Sequence, residues 1–153
     1  YVGNSPEGPF EFVRMVAEDQ DGGFNAPHNP TIKHIDGKYA LCFIVNENDD
    51  RGTQRIVMYV ADDVNGDFRP AKGGEADGTV LRAPSDPEIW NHGSVRGVAN
   101  PSLIKVDGEY RIYFKSAMPA PEKGVEGFYN REFGYGVATS KNLEGPYTIH
   151  PER

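Results

Sequence analysis

Two Asn-Pro steps, Asn29-Pro30 and Asn100-Pro101, are each preceded by side chains able to do chemistry. His28 stands directly before the first. The stretch Asn91-His92-Gly93-Ser94-Val95-Arg96 leads into the second. An imidazole donates or accepts a hydrogen bond, and a guanidinium offers a fork of donors, a set that suits hydroxyls and carboxylates. Asp21, Asp86 and Glu88 lie upstream of the same steps. Each of these carboxylates, taken alone, reads as a solvated turn residue beside Gly22-Gly23 or Pro84 and Pro87.

The remaining reactive types carry less. His34 sits at an alternating strand position and reads as a surface residue, and His150 lies at the end of the chain. His28 and His92 without a third ligand do not make a metal site, so no metal-binding residue is assigned. The run Asn46-Glu47-Asn48-Asp49-Asp50 lacks the ligand spacing of a calcium hand and reads as a polar turn. Cys42, the only cysteine, is flanked by Leu41 and Phe43 and reads as a small buried hydrophobe rather than a nucleophile. Lys115 breaks an apolar alternation and reads as exposed. Residues 122–132 mix charge, glycine and two aromatics, and read equally as a solvated excursion or as a lid.

The elements that must position these residues occur twice. Residues 29–44 read NPTIKHIDGKYALCFI and residues 100–115 read NPSLIKVDGEYRIYFK, with six of sixteen positions identical. The offset of 71 residues is too long for a solenoid repeat and suits one large propeller blade with its loops. Asp36-Gly37 and Asp107-Gly108 predict two-residue hairpin turns, because Asp-Gly tolerates the positive φ such turns require. Tyr39, Leu41 and Phe43 alternate beyond the first turn, and Tyr110, Ile112 and Phe114 beyond the second, so each copy is an antiparallel hairpin. Pro30 and Pro101 are expected to open their strands, where a missing N–H does least harm. A third strand follows each hairpin, over 55–61 and 133–140. It leads into Asn65-Gly66-Asp67-Phe68 or Leu143-Glu144-Gly145-Pro146-Tyr147, and the opening residues Ser5-Pro6-Glu7-Gly8-Pro9-Phe10 match that ending.

The predicted fold class is therefore all-β, a β-propeller-like array of roughly two blades cut from a longer protein. Residues 1–16 are the end of a preceding blade, 27–70 a first blade and 98–150 a second. An apolar content of 37%, with 18 Gly, 12 Pro and eight each of Tyr and Phe, suits short strands joined by turns. The net charge of −7 argues against nucleic acid or an anionic membrane as partner. No apolar run approaches the ~20 residues of a membrane span. Open flanks predict that the isolated chain self-associates or aggregates.

The order of these motifs resembles the five-bladed propeller glycoside hydrolases, families 43 and 117 with relatives 32 and 68. The likeness rests on Ser5–Phe10, His28-Asn29-Pro30-Thr31-Ile32 and Asp36-Gly37-Lys38-Tyr39. It also rests on the second-copy segments Asn100–Ile104, Asp107–Tyr110 and Leu143–Tyr147. It implies hydrolysis of a glycosidic bond in a poly- or oligosaccharide, a carbohydrate partner, and an extracellular or periplasmic location. It implies that residues before and at each Asn-Pro step face the sugar: His28, Asn29, His92, Arg96 and Asn100, with Trp90 offering a flat face to a ring. A structural Ca²⁺ or Zn²⁺ near His28 and His92 is conceivable on the same ground; no other cofactor is implied.

The chain departs from that family at one point of chemistry. Glycoside hydrolysis normally needs two carboxyl groups flanking the bond. The family's carboxylates occupy blade-start positions like Asn29 and Asn100, and an amide neither takes nor gives the proton. Three readings stay open. The carboxylates lie in other blades, or Asp21, Asp86 or Glu88 reaches the channel, or the propeller binds glycan without cleaving it.

Overall fold

The computed structural model describes residues 1–17, 25–47, 50–119 and 131–152. Among these residues eleven strands fall into three sheets. A two-stranded ribbon pairs β1 (Val2–Gly3) with β2 (Phe10–Glu11). The first large sheet has the order β3 (Asn25–Ile35), β4 (Lys38–Glu47), β5 (Asp50–Ala61), β6 (Arg69–Pro70), with β7 (Thr79–Leu81) also on β5. The second runs from β8 (Ala99–Val106) through β9 (Glu109–Pro119) and β10 (Arg131–Ser140) to β11 (Thr148–Ile149). All pairings are antiparallel, and the described residues contain no helix.

The repeat is kept in the register. Ile32 faces Leu41 across the first hairpin and Leu103 faces Ile112 across the second. Both turns take positive φ at both central residues, 51° and 74° at Asp36-Gly37, 50° and 75° at Asp107-Gly108. That is the turn whose twist matches the flanking strands. The prolines differ from expectation. Pro30 and Pro101 lie inside β3 and β8, not at their starts, at register shifts between His28 and Thr31 and between Ala99 and Ser102. A bulge has no ladder bond to lose, so it tolerates the missing N–H. Strand β7, inside the long 71–96 connection, carried no signal in the sequence.

The two large sheets pack face to face. Cys42, Ile56 and Met58 from one meet Leu103, Ile112 and Phe114 from the other, all nearly inaccessible. Removing such side chains from water is the main stabilising contribution, about 1.5–3 kcal/mol for each large one. The opposite face of the first sheet carries a smaller cluster of Phe43, Val45 and Val57 with Ala17 against it.

Polar ties join the sheets at their rims. Arg69 Nη1 and Nη2 donate to the two carboxylate oxygens of Glu144 at 2.7 and 2.8 Å, and the Lys72 amide donates to Glu144 Oε2 at 2.8 Å. Those donors, the Arg69 pair first, hold the Glu144 carboxyl down at about 2. Asp36, in the first hairpin turn, accepts from Lys105 Nζ at 2.7 Å and from the Tyr110 hydroxyl. Gly97 makes the closest approach. Its φ is 67°, and a Cβ there would stand 2.0 Å from the Gln54 carbonyl oxygen, so only glycine fits.

Candidate functional site

The innermost strands β3 and β8 lie side by side, and each bulges at its Asn-Pro step. Asn29 and Asn100 both adopt the left-handed conformation, with φ of 51° and 52°. Asparagine is one of the few non-glycine residues that enters this region readily. The bulge turns each side chain out of the strand alternation and toward the other sheet. As a result Asn29 Nδ2 donates to Asn100 Oδ1 at 2.9 Å. Both residues are solvent-exposed. Among the described residues, no other partner takes up Asn29 Oδ1 or Asn100 Nδ2, so the pair presents an outward acceptor oxygen and an outward NH2 donor group.

A second polar group stands at the same end of the sheets. Gln54, near the start of β5, is 3% exposed. Its Oε1 accepts from Arg96 Nε at 3.2 Å, and its Nε2 lies 3.3 Å from His28 Nε2. The main chain around it is fixed too, since the Val98 amide donates to the Gln54 carbonyl at 2.9 Å. The connection to β8 is pinned by serines: the Arg96 amide donates to Ser94 Oγ at 3.2 Å, and Ser116 Oγ donates to the Gly97 carbonyl at 2.6 Å. Thus His28, Asn29, Gln54, Arg96 and Asn100 gather around the entry of β3 and β8. Gln54 was not found from the sequence, where it reads as one polar residue in a strand.

The other sequence candidates lie elsewhere. Trp90 packs against the core with its ring nearly parallel to Phe114, centroids 6.2 Å apart. Gly134 and Gly136 make room for it, as a Cβ on either would stand 2.7–2.8 Å from the indole. The Trp90 amide donates to the Pro151 carbonyl at 3.1 Å, just past β11, so this segment sits at the outer edge of the sheet whose inner edge holds Asn100. Asp86 and Glu88 are exposed in the same turn, where Asp86 Oδ1 accepts from the Glu88 amide at 3.0 Å. Exposed His92 has its Nδ1 3.2 Å from the Pro84 carbonyl. Among the described residues, no hydrogen bond or ring contact ties any of these four to the Asn29–Asn100 pair. Asp21 lies outside the described residues, as do Asn48, Asp49 and 120–130.

Remaining reactive groups fall into packing roles. Cys42 is 1% exposed, and burial pushes its thiol up to about 12. His34 is exposed and stacks on Tyr39, while Lys115 Nζ sits 4.0 Å above the Phe133 ring. Among the described residues no group of three His, Cys, Asp or Glu converges.

Comparison with solved structures places this geometry. A family 117 glycoside hydrolase of the marine bacterium Zobellia galactanivorans superposes with a TM-score of 0.63 and 21% identity, covering 90% of this chain and 35% of that one. A family 43 β-xylosidase/α-arabinofuranosidase from a compost microbial metagenome, solved with xylotriose, gives 0.57 and 18%, covering 90% and 38%. A family 43 enzyme of Xanthomonas citri, also with xylotriose, gives 0.55 and 15%, covering 82% and 32%. The fold is that of the five-bladed propeller glycoside hydrolases. The chain spans about a third of the length of these similar structures. No protein-family model matches the sequence, and no curated protein matches it.

Proposed function

We propose that this chain forms the substrate-binding wall of a propeller glycoside hydrolase, with Asn29, Asn100, His28 and Arg96 contacting the sugar. The observation that carries the reading is the Asn29–Asn100 pair. Its outward acceptor and donor match two neighbouring sugar hydroxyls, one donating to the amide oxygen and one accepting from the amide nitrogen. Two of the similar family 43 structures hold xylotriose, whose hydroxyls are uncharged, and uncharged amides suit such a ligand. A neutral oligosaccharide is accordingly the favoured substrate class.

Neither amide can carry the proton transfer that hydrolysis needs, a contribution of roughly 10²–10⁴ in rate. Asp86 and Glu88 sit at the outer sheet edge. In this reading the acid and base of the hydrolase come from outside the described residues.

A second reading, a glycan-binding propeller without catalysis, is favoured by the amides at both blade starts. Calorimetric titration of the whole propeller that carries this chain with xylotriose, run beside an assay of released reducing ends, separates the two. Binding with turnover supports the hydrolase. Binding without turnover leaves the glycan-binding module. No heat with xylotriose or with a panel of other neutral oligosaccharides sinks both.

A further inference from the structure

We propose that Asp107 is the acceptor half of an unused clamp between sheets, and that its surface takes the His34–Tyr39 edge of a second copy of this chain, head to tail. The inference stands apart from the sugar-binding reading, because the Asp-Gly turns lie at the opposite ends of β3 and β8 from the Asn-Pro steps.

The clamp is joined once within the chain. Asp36, in the hairpin turn of the first sheet, accepts from Lys105 Nζ at 2.7 Å and from the Tyr110 hydroxyl. Lys105 and Tyr110 face each other across β8 and β9, with Lys105 Nζ 5.0 Å from the centre of the Tyr110 ring. The donor half is thus a cross-strand pair on the second sheet. A carboxylate that takes both donors makes charge-assisted hydrogen bonds, which are shorter and stronger than neutral ones.

The repeat sets out both halves again, unjoined. Asp107 stands 71 residues after Asp36 and takes the same turn conformation, with φ of 50° against 51°. It is exposed, and among the described residues its side chain has no hydrogen bond or ion pair. By the same offset Lys105 and Tyr110 correspond to His34 and Tyr39. These two also face each other across their hairpin, with stacked rings 4.5 Å apart. Among the described residues neither the His34 ring nor the Tyr39 hydroxyl has a hydrogen-bond partner. One molecule therefore carries an open acceptor on its second sheet and an open donor pair on its first.

The surfaces beside the two halves correspond as well. Next to the joined clamp, Cys42 and Ile56 of the first sheet are buried with Leu103 and Ile112 of the second. The counterparts of Cys42 and Ile56 are Tyr113 and Tyr135, both exposed on the sheet that carries Asp107. The counterparts of Leu103 and Ile112 are exposed Ile32 and half-buried Leu41, on the sheet face that carries His34 and Tyr39. A groove of about 540 Å³ on that face, lined by Val13, Ile32, Leu41 and Val64 among others, gives the partner's tyrosines an apolar seat. Tyrosine suits a surface that stands in water when free and is buried when joined. Such a contact sets the front of one copy on the back of the next. It is heterologous, so every joined pair leaves another front and back open to further copies.

The test is sedimentation velocity on the chain over a series of concentrations. The wild type is expected to form species larger than a monomer that dissociate on dilution. Asp107→Lys and His34→Glu, each alone, set like charges against each other at the junction. Each is expected to weaken association about tenfold or more, the loss of a charge-assisted bond. Mixing the two variants is expected to restore association, because every junction between unlike chains again pairs a donor with an acceptor. Asp107→Asn keeps the positive φ of the turn and takes the place of the lysine variant should that one not fold. A wild type that stays monomeric at every concentration overturns the proposal. So does association that neither single substitution weakens, or a mixture no more associated than its components.

Discussion

Asn29 and Asn100 occupy the same position in two successive repeats and hydrogen-bond to each other, Nδ2 to Oδ1 at 2.9 Å, across 71 residues of sequence. The bond exists because both strands bulge at the same step and both residues take a positive φ. Repetition thus turns one local irregularity into a two-residue unit.

That unit predicts a non-additive pair of variants. Glycine keeps the left-handed backbone without strain and removes the amide. Asn29→Gly and Asn100→Gly are each expected to weaken xylotriose binding by up to about tenfold, roughly one hydrogen bond. The double variant should lose little more than either single one, since each amide holds the other. Calorimetry on the four proteins checks this. Fully additive losses would mean that the amides act separately.

Trp90 gives the second prediction. It is the only tryptophan, so its emission reports one place. The ring lies against Gly134, Gly136 and Phe114. Saturating xylotriose is expected to leave its emission unchanged, because the segment is tied to the outer sheet edge. Gly136→Ala puts a methyl 2.8 Å from the indole and should shift the emission to the red while lowering the melting temperature. A blue shift or quenching on adding sugar would return Trp90 to the binding surface.

What was legible in the sequence follows from how local the cause is. Asp36-Gly37 and Asp107-Gly108 fixed their turns because the φ demand lies within two residues, and the alternation beyond the second turn named the buried face of Tyr110, Ile112 and Phe114. In the first copy the alternation pointed to the wrong face: Ala40, Cys42 and Ile44 are fully buried, because that face meets the second sheet, while Tyr39 and Leu41 are only half-buried. Long-range polar partners were not legible. Gln54 meets Arg96 and His28 from 42 and 26 residues away, with nothing in a strand sequence to mark it. Trp90 shows the converse: an aromatic beside polar residues reads as a sugar platform, and two glycines more than forty residues later gave it a place in the packing. The Asn-Pro steps were visible, but their bulges depend on pairing with β4 and β9.

The tie between Arg69 and Glu144 makes a pH prediction. Glu144 is held at about 2 against an ordinary value of 4.5, a depressed carboxyl. Its stabilising contribution is therefore complete above the unfolded value and is lost as pH falls from 4.5 toward 2. Glu144→Gln should lower the melting temperature at pH 6, with the gap to wild type closing as the pH approaches 2. A gap that stays constant over that range would show that the carboxylate charge contributes nothing.

The outer faces of the two sheets carry the last prediction. Tyr135 is 72% exposed and is joined on its face by Tyr113 and Phe133, all half-exposed or more open than a third. On the far side Ile32 and Val64 are also exposed, beside Tyr1 and Val13. The counterparts of Tyr113 and Tyr135 in the first sheet, Cys42 and Ile56, are buried against the second sheet. The same strand face is thus covered once and open once, and apolar surface of this extent favours association. Sedimentation velocity on the isolated chain is expected to show species larger than a monomer that grow with concentration. Tyr135→Lys should move the distribution toward monomer without lowering the melting temperature, since the side chain contacts mostly solvent. A monomer at every concentration would mean that the exposed faces are compatible with an independent unit, and the two-blade reading would have to yield.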